Sequence, residues 1–151
     1  VDINEYRLNA AKRFGADFVI KSSEDIISKI KQINENRLAD VVIVCTGALS
    51  AAKQALQCVD KGGTIMFFAV PKPGEIFDIP INDFWKNEVK LMTSYAAAPD
   101  DLKESLELIK NRKINVKDMI THRLKFDDIQ EGFRLVAEAK DSIKVIVEPN
   151  S

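Results

Sequence analysis

The sequence predicts an α/β fold, a parallel sheet with helices on both faces. Short strand-type runs, DVVIVC at 40–45, TIMFFAV at 64–70 and EVKLMTSYA at 88–96, alternate with segments whose apolar residues recur at helical spacing. Strands alternating with helices imply right-handed crossovers and a sheet covered on both faces. The length, 151 residues, suits one ordinary domain with a sizeable core.

Each element has its own warrant. Residues 5–14, EYRLNAAKRF, place Leu8, Ala11 and Phe14 on one helical face, and Gly15 ends that helix. DFVI at 17–20 is a short strand-type run. Residues 22–36 open with a serine cap and acids, then set Ile26, Ile27, Ile30 and Ile33 on one stripe. DVVIVCTG at 40–47 is a continuous β-branched run, the pattern of a strand buried on both faces. A helix follows over 49–59, then a turn at Lys61-Gly62-Gly63, then a second fully buried strand over 64–70. Residues 70–75, VPKPGE, form a loop punctuated by proline and glycine. NDFWKN at 82–87 is a short helix in which Phe84 and Trp85 are expected to pack, the alternative being that they face a substrate cleft. A third buried strand spans 88–96, and a helix with proline in its first turn and leucines at helical spacing spans 99–112. After Lys113 the pattern changes. THRLKF at 121–126 alternates, 127–139 is a helix with an acidic start, and KVIVEP at 144–149 is a strand. The change near Val116 assigns the tail to a different structural layer.

Bulk properties exclude several classes. The net charge is −1, so there is no general attraction to nucleic acid or to anionic membrane. No apolar run is long enough to span a bilayer, and the opening residues read as a charged amphipathic segment rather than a signal peptide. Cys45 and Cys58 lie in apolar surroundings without CxxC spacing, so they read as reduced core thiols of a cytoplasmic protein. His122, the single histidine, reads as structural, and no cluster has metal-ligand spacing.

Asp2 raises the functional question. Val1 and Asp2 read as the end of a strand that leads into a helix. A carboxylate there is where dinucleotide-binding folds hold an adenosine ribose, about 20 residues after a GxGxxG loop. No such loop precedes Asp2. The two residues alone leave two readings open, a ribose-binding acid or a plain cap for helix 5–14.

Five stretches in family order, VDINEYRLNAAKRFGAD, DVVIVCTG, KGGTIMFFAVP, ITHRLKFDDIQEGF and SIKVIVEP, carry a resemblance. The chain resembles the C-terminal portion of a zinc-dependent medium-chain alcohol dehydrogenase, within the medium-chain dehydrogenase/reductase family. It is most similar to the polyol and threonine dehydrogenase branch, over essentially the whole chain. The family's catalytic domain, its cysteine, histidine and glutamate zinc ligands, its first strand and its glycine-rich loop have no counterpart here. The resemblance therefore implies a partial Rossmann-type parallel sheet lacking the first strand and the glycine-rich loop. It implies a partial dinucleotide-binding domain at 1–113 and, at 114–151, a C-terminal segment that in the family packs back on the catalytic domain. The phosphate loop is expected upstream of Asp2.

The resemblance also implies roles. Asp2 takes the ribose hydroxyls, and its charge opposes a 2′-phosphate, which favours NAD over NADP. Arg7 matches a basic residue beside that ribose, although a solvated helix arginine explains it as well. The Cys45-Thr46-Gly47 turn passes the adenine and its ribose through backbone, although a plain strand-to-helix turn also accounts for Gly47. The backbone of Ala69 and Val70 reaches toward the nicotinamide ribose, and Ser94 lies where the carboxamide is met. Lys144 matches a basic residue that reaches the pyrophosphate. No catalytic or metal-binding residue is expected in this chain, and the parent enzyme's zinc would be bound outside it.

The function so implied is the NAD-binding part of an oxidoreductase that transfers a hydride between an alcohol or polyol and a nicotinamide cofactor. The isolated chain is expected to be inactive. Two alternatives stand beside it: part of a zinc-free quinone reductase, against which Asp2 argues, and a non-catalytic folding or dimerisation module. For assembly, the expectation is a centre of three parallel strands, 40–45, 64–69 and 89–95, with helices 49–58 and 99–112 on it. Strand 17–20, the first thirty-odd residues and the tail strands are expected to lack partners and to be displaced, swapped or held by a neighbour. A homo-oligomer through strand 89–95 is expected, with a small alcohol as the substrate of the parent enzyme and neither nucleic acid nor membrane as partner.

Overall fold

The structure is a computed structural model that describes residues 1–149. In chain order the elements are α1 (Glu5–Arg13), α2 (Ile26–Ile33), β1 (Ala39–Val44), α3 (Leu49–Ala55), β2 (Val59–Phe67), α4 (Ile81–Lys86), β3 (Lys90–Thr93), α5 (Pro99–Lys110), β4 (Ile120–Lys125), α6 (Ile129–Glu138) and β5 (Lys144–Glu148). Short 3-10 turns precede β4 and α6. The chain divides into two compact units, Glu24–Ala96, and Val1–Ser23 with Ala97–Ser151. No helix among the described residues is long and apolar enough to cross a membrane.

Glu24–Ala96 holds the expected three-stranded parallel sheet, in the order β1-β2-β3. Its core is Val44, Ala55, Val59, Ile65 and Phe84, with Ile65 wholly buried. Helix α3 packs on β1 and β2. The strands are not buried on both faces, however. Val41 and Ile43 are 60% and 56% exposed, while Val44, on the opposite face, is buried. Alternation along a strand sends successive side chains to opposite faces, so a helix on one face leaves the other open. All four residues of β3, at the sheet edge, are exposed. Strand 64–70 also ends early, with Phe68 and Val70 exposed beyond it.

The expected turn at Lys61–Gly63 lies inside β2. Ala39 pairs with Val59 but Val41 pairs with Thr64, so the extra residues of β2 bulge out of the ladder. Gly63 is required there, because a Cβ would sit 2.7 Å from Val59 Cγ2 and 3.0 Å from the Asp40 carbonyl oxygen. Arg37 bridges Asp40 and Asp60 on either side of the bulge. The Asp60 carboxyl is held below the usual carboxylate range, first by accepting the Lys61 N–H and further by Arg37.

Other details differ from expectation. The cap of α2 is Asp25 rather than a serine; its carboxylate accepts from the Ser28 backbone N–H and hydroxyl, at 3.1 and 2.7 Å. Of the isoleucine stripe only Ile26 is buried. Phe84 packs in the core, but Trp85 is 78% exposed, since the six residues of α4 present one narrow face inward. Cys58 is a buried thiol whose pKa burial pushes up, whereas Cys45 is exposed because it follows the end of β1. Both thiols are free.

In the other unit, DFVI at 17–20 is not a strand. Its surroundings provide only an isolated parallel bridge, Asp2 to Lys21, in which the Asp2 N–H donates to the Ile20 carbonyl at 3.3 Å and the Ser22 N–H to the Asp2 carbonyl at 3.0 Å. Helix α5 has its expected start, with Pro99 in the first turn and the Asp101 carboxylate accepting the Ala98 N–H at 2.8 Å, but none of its residues is buried. Helix 99–112 therefore does not bury its leucines, and it belongs to a different unit from the three-stranded centre. The tail strands find each other: β4 and β5 pair in parallel, with α6 connecting them and packed against both. Gly132 of α6 is buried there, and a Cβ on it would meet Leu124, Val145 and Val147. The first residues are likewise held within the chain, since the Asn4 side-chain amide donates to the Ala139 and Lys140 carbonyls. Within this unit the tail strands and the first residues therefore do find partners, against the expectation that they lack them, and each of β4 and β5 keeps one edge without a partner strand among the described residues.

On α6, Arg134 donates from Nε to Glu131 at 2.7 Å and from Nη1 to Glu138 at 2.6 Å. These bonds hold both glutamates below the usual carboxylate range. A carboxylate with a lowered folded pKa stabilises the fold above its unfolded value, ~4.3, and that contribution is lost as pH falls through the folded value. Thermal melts of wild type and Arg134→Ala should therefore differ at about pH 7 and converge as the pH falls below the lowered folded values of the two glutamates. A difference that persists in acid would show that Arg134 acts through packing alone.

Candidate functional site

The parallel sheet of Glu24–Ala96 ends all three strands at one edge, and the predicted residues Cys45, Thr46, Gly47, Ala69, Val70 and Ser94 follow those ends. The Val44 carbonyl accepts from Phe68 N–H at 3.0 Å and Ala69 N–H at 3.1 Å, which draws the exit of β2 across the end of β1. Ser94 N–H donates to the Phe67 carbonyl at 3.2 Å, which brings the exit of β3 to the same place. Thr46 Oγ1 accepts the Ala48 N–H at 3.3 Å and shapes the turn into α3. A Cβ at Gly47 would lie 2.6 Å from the Val70 carbonyl oxygen and 3.4 Å from Pro71 Cα. Gly47 has no positive φ, so it is space, not torsion, that demands glycine. Two backbones thus meet without a side chain between them, at the carboxyl ends of parallel strands, where open α/β sheets bind ligands.

The other unit carries Asp2, Arg7 and Lys144. Asp2 is half-buried. Its Oδ1 accepts the Asn4 N–H at 2.8 Å. Asp2 does not cap α1. The cap is Asn4, whose Oδ1 accepts from Tyr6 N–H at 2.8 Å and Arg7 N–H at 3.4 Å. Arg7 is exposed and lines a shallow groove with Phe14, Met119 and Ile143, the residue before Lys144. Lys144 is exposed at the first position of β5, in register with Ile120. His122 is half-buried in β4, its Nδ1 3.0 Å from Thr121 Oγ1. Asn4 is the residue that sequence reasoning passed over. Asparagine immediately before an acidic first turn is a helix-start signal, and it was available in DINEYR.

The arrangement suits a nucleotide held by backbone rather than a metal. Among the described residues no group of three histidine, cysteine or acidic side chains could hold a metal ion, and the nearest thing to soft ligands, Cys45 and Cys58, is one exposed thiol and one buried one. The donor set of the described residues does not fit a zinc site. The glycine-lined approach at Gly47, by contrast, fits a ligand that meets main chain, and the Asp2 carboxylate fits a diol.

The zinc-binding dehydrogenase family matches residues 1–111. Curated relatives include a sorbitol dehydrogenase from Halalkalibacterium halodurans, 29% identical over 97% of this chain and 42% of its own length. They also include a D-xylulose reductase from Saccharomyces cerevisiae, 30% identical over 98% of this chain and 43% of its own. Among solved structures, a candidate zinc-binding dehydrogenase from Sinorhizobium meliloti with NADP bound superimposes with a TM-score of 0.86 at 22% identity, over 97% of this chain and 43% of that one. The chain thus spans less than half the length of these relatives.

Proposed function

We propose, since this chain belongs to the zinc-binding dehydrogenase family, that it forms part of the seat for a nicotinamide dinucleotide in an enzyme that oxidises an alcohol or polyol. The observation that carries the reading is the convergence of three strand ends, with Gly47 packed bare against the Val70 carbonyl. In this reading the 45–47 turn and the Ala69-Val70 segment meet the dinucleotide through main chain, and Ser94 lies at the carboxamide. In its own unit, Asp2 accepts from the ribose hydroxyls, with Arg7 beside it and Lys144 offering a point charge to phosphate. The bound nicotinamide supplies the hydride chemistry. The chain's own residues bind and orient it. They provide neither acid nor base, so turnover requires residues that this chain does not contain.

The same reading selects NAD over NADP, because a charged Asp2 opposes a 2′-phosphate. The Sinorhizobium neighbour, which binds NADP, makes this the point most worth measuring. In the complete enzyme, Asp2→Ser should lower the NAD-to-NADP ratio of kcat/KM by about ten- to a hundredfold, the worth of a hydrogen bond to a charged group. An unchanged ratio would remove Asp2 from the ribose. We place the subunit contact at β3, whose outer edge carries no partner strand among the described residues. Ser94 N–H faces β2, so by alternation the Leu91 N–H faces the open edge, and light scattering on Leu91→Pro, which removes that donor, should report loss of the dimer.

A further inference from the structure

We propose that Asn4 is a positioning residue that sets Asp2 and Lys144, two members of the dinucleotide seat, from a single side chain. The proposal rests on the functional reading above. Every hydrogen-bonding group of Asn4 is engaged. Its backbone N–H donates to Asp2 Oδ1 at 2.8 Å, which holds that carboxylate in one orientation. Its side-chain oxygen accepts from Tyr6 and Arg7 N–H, and so caps the helix that carries Arg7. Its side-chain NH2 donates to the carbonyls of Ala139 at 2.9 Å and Lys140 at 2.7 Å. The amide orientation follows from its partners, since N–H groups face the oxygen and carbonyls face the nitrogen.

The far end of this tether is the C-terminal turn of α6. Ala139 is left-handed there, with φ 50°, and the last carbonyls of a helix need donors from elsewhere. Asn4 supplies them. Beyond Lys140 the loop is pinned twice more: Ser142, 3% exposed, donates its hydroxyl to the Leu135 carbonyl at 2.7 Å, and Ile143 N–H donates to Thr121 Oγ1 at 3.1 Å. Lys144 follows directly and begins β5. The path from Asp2 to Lys144 thus runs through Asn4 and a loop with no slack. A capping side chain without amide donors would keep α1 and release the loop.

That separation defines the test. Asn4→Asp and Asn4→Ser both retain a good cap. Aspartate has no donor for Ala139 and Lys140 and adds repulsion against the negative end of α6, and serine's one short hydroxyl cannot replace the two amide N–H bonds. In the complete enzyme both should raise KM for the dinucleotide about tenfold while kcat is retained, and in this chain both should speed amide exchange over 141–144 by about tenfold. Faster exchange with an unchanged KM would overturn the proposal, leaving Asn4 a merely structural tie. Unchanged exchange would overturn it as well, whatever KM does. Asp2→Asn, measured alongside, separates the two levels. If KM answers to Asp2→Asn but not to the Asn4 variants, only the tether is wrong. If Asp2→Asn is silent, the ribose reading falls and takes the tether with it.

Discussion

Ile65→Ala should cost Glu24–Ala96 about 2–5 kcal/mol, the range for deleting a fully buried aliphatic side chain that leaves a cavity. Ile65 is wholly buried on the middle strand, in register with Val42 on one side and Leu91 on the other. The sheet has strands on both flanks and a helix over the face, so the hole cannot close by moving one loop. Against a typical total of about 5–15 kcal/mol, this is a large fraction. Urea unfolding followed by circular dichroism should show a lower midpoint with an unchanged slope. Ile43→Ala is the matched control. It removes the same atoms from the exposed face of β1 and should cost under about 1 kcal/mol. Equal costs at the two positions would mean that the open face of the sheet is covered in solution.

Gly47→Val should damage both stability and cofactor affinity. A Cβ there starts 2.6 Å from the Val70 carbonyl oxygen, and the obstacle is backbone, which cannot rotate away as a side chain can. The turn after β1 or the exit of β2 must therefore shift, at about 1–3 kcal/mol for overpacking. The shift falls on the strand ends proposed to meet the dinucleotide, so kcat/KM for the cofactor should fall by at least about tenfold in the complete enzyme. Lys53→Ala, an exposed change on α3, should leave both quantities as they are. A Gly47→Val enzyme with normal cofactor kinetics would remove this turn from the seat, whatever its melting temperature.

The positions of the helices and main strands were legible because their signals are local. The β-branched run at 40–45, the proline before α5 and the glycine after α1 act through neighbouring residues, and β1, α5 and α1 lie where these place them. That Cys45–Gly47, Ala69-Val70 and Ser94 follow strand ends was legible once the strands were, because turns in a parallel sheet follow its strands, whereas their roles toward a dinucleotide come from the family resemblance. The choice between ribose acid and helix cap at Asp2 was not legible from two residues, because both roles want an acid before a helix. It took the placement of Asn4 Oδ1 on the Tyr6 and Arg7 N–H groups to take the cap away from Asp2.

By itself, then, the sequence determined most of the helices and main strands, their order, the parallel centre and the family. Only the tertiary structure decided that Val41 and Ile43 face outward, that Lys61–Gly63 is a bulge rather than a turn, that 17–20 pairs through one bridge, and that β4 and β5 pair with each other. Periodicity names two faces of a strand but not which one another element will cover, and an edge is satisfied or left open by residues far away along the chain. Asn4 and Ala139, 135 positions apart, are joined by a hydrogen bond that no local pattern encodes, because only the folded chain brings the two together.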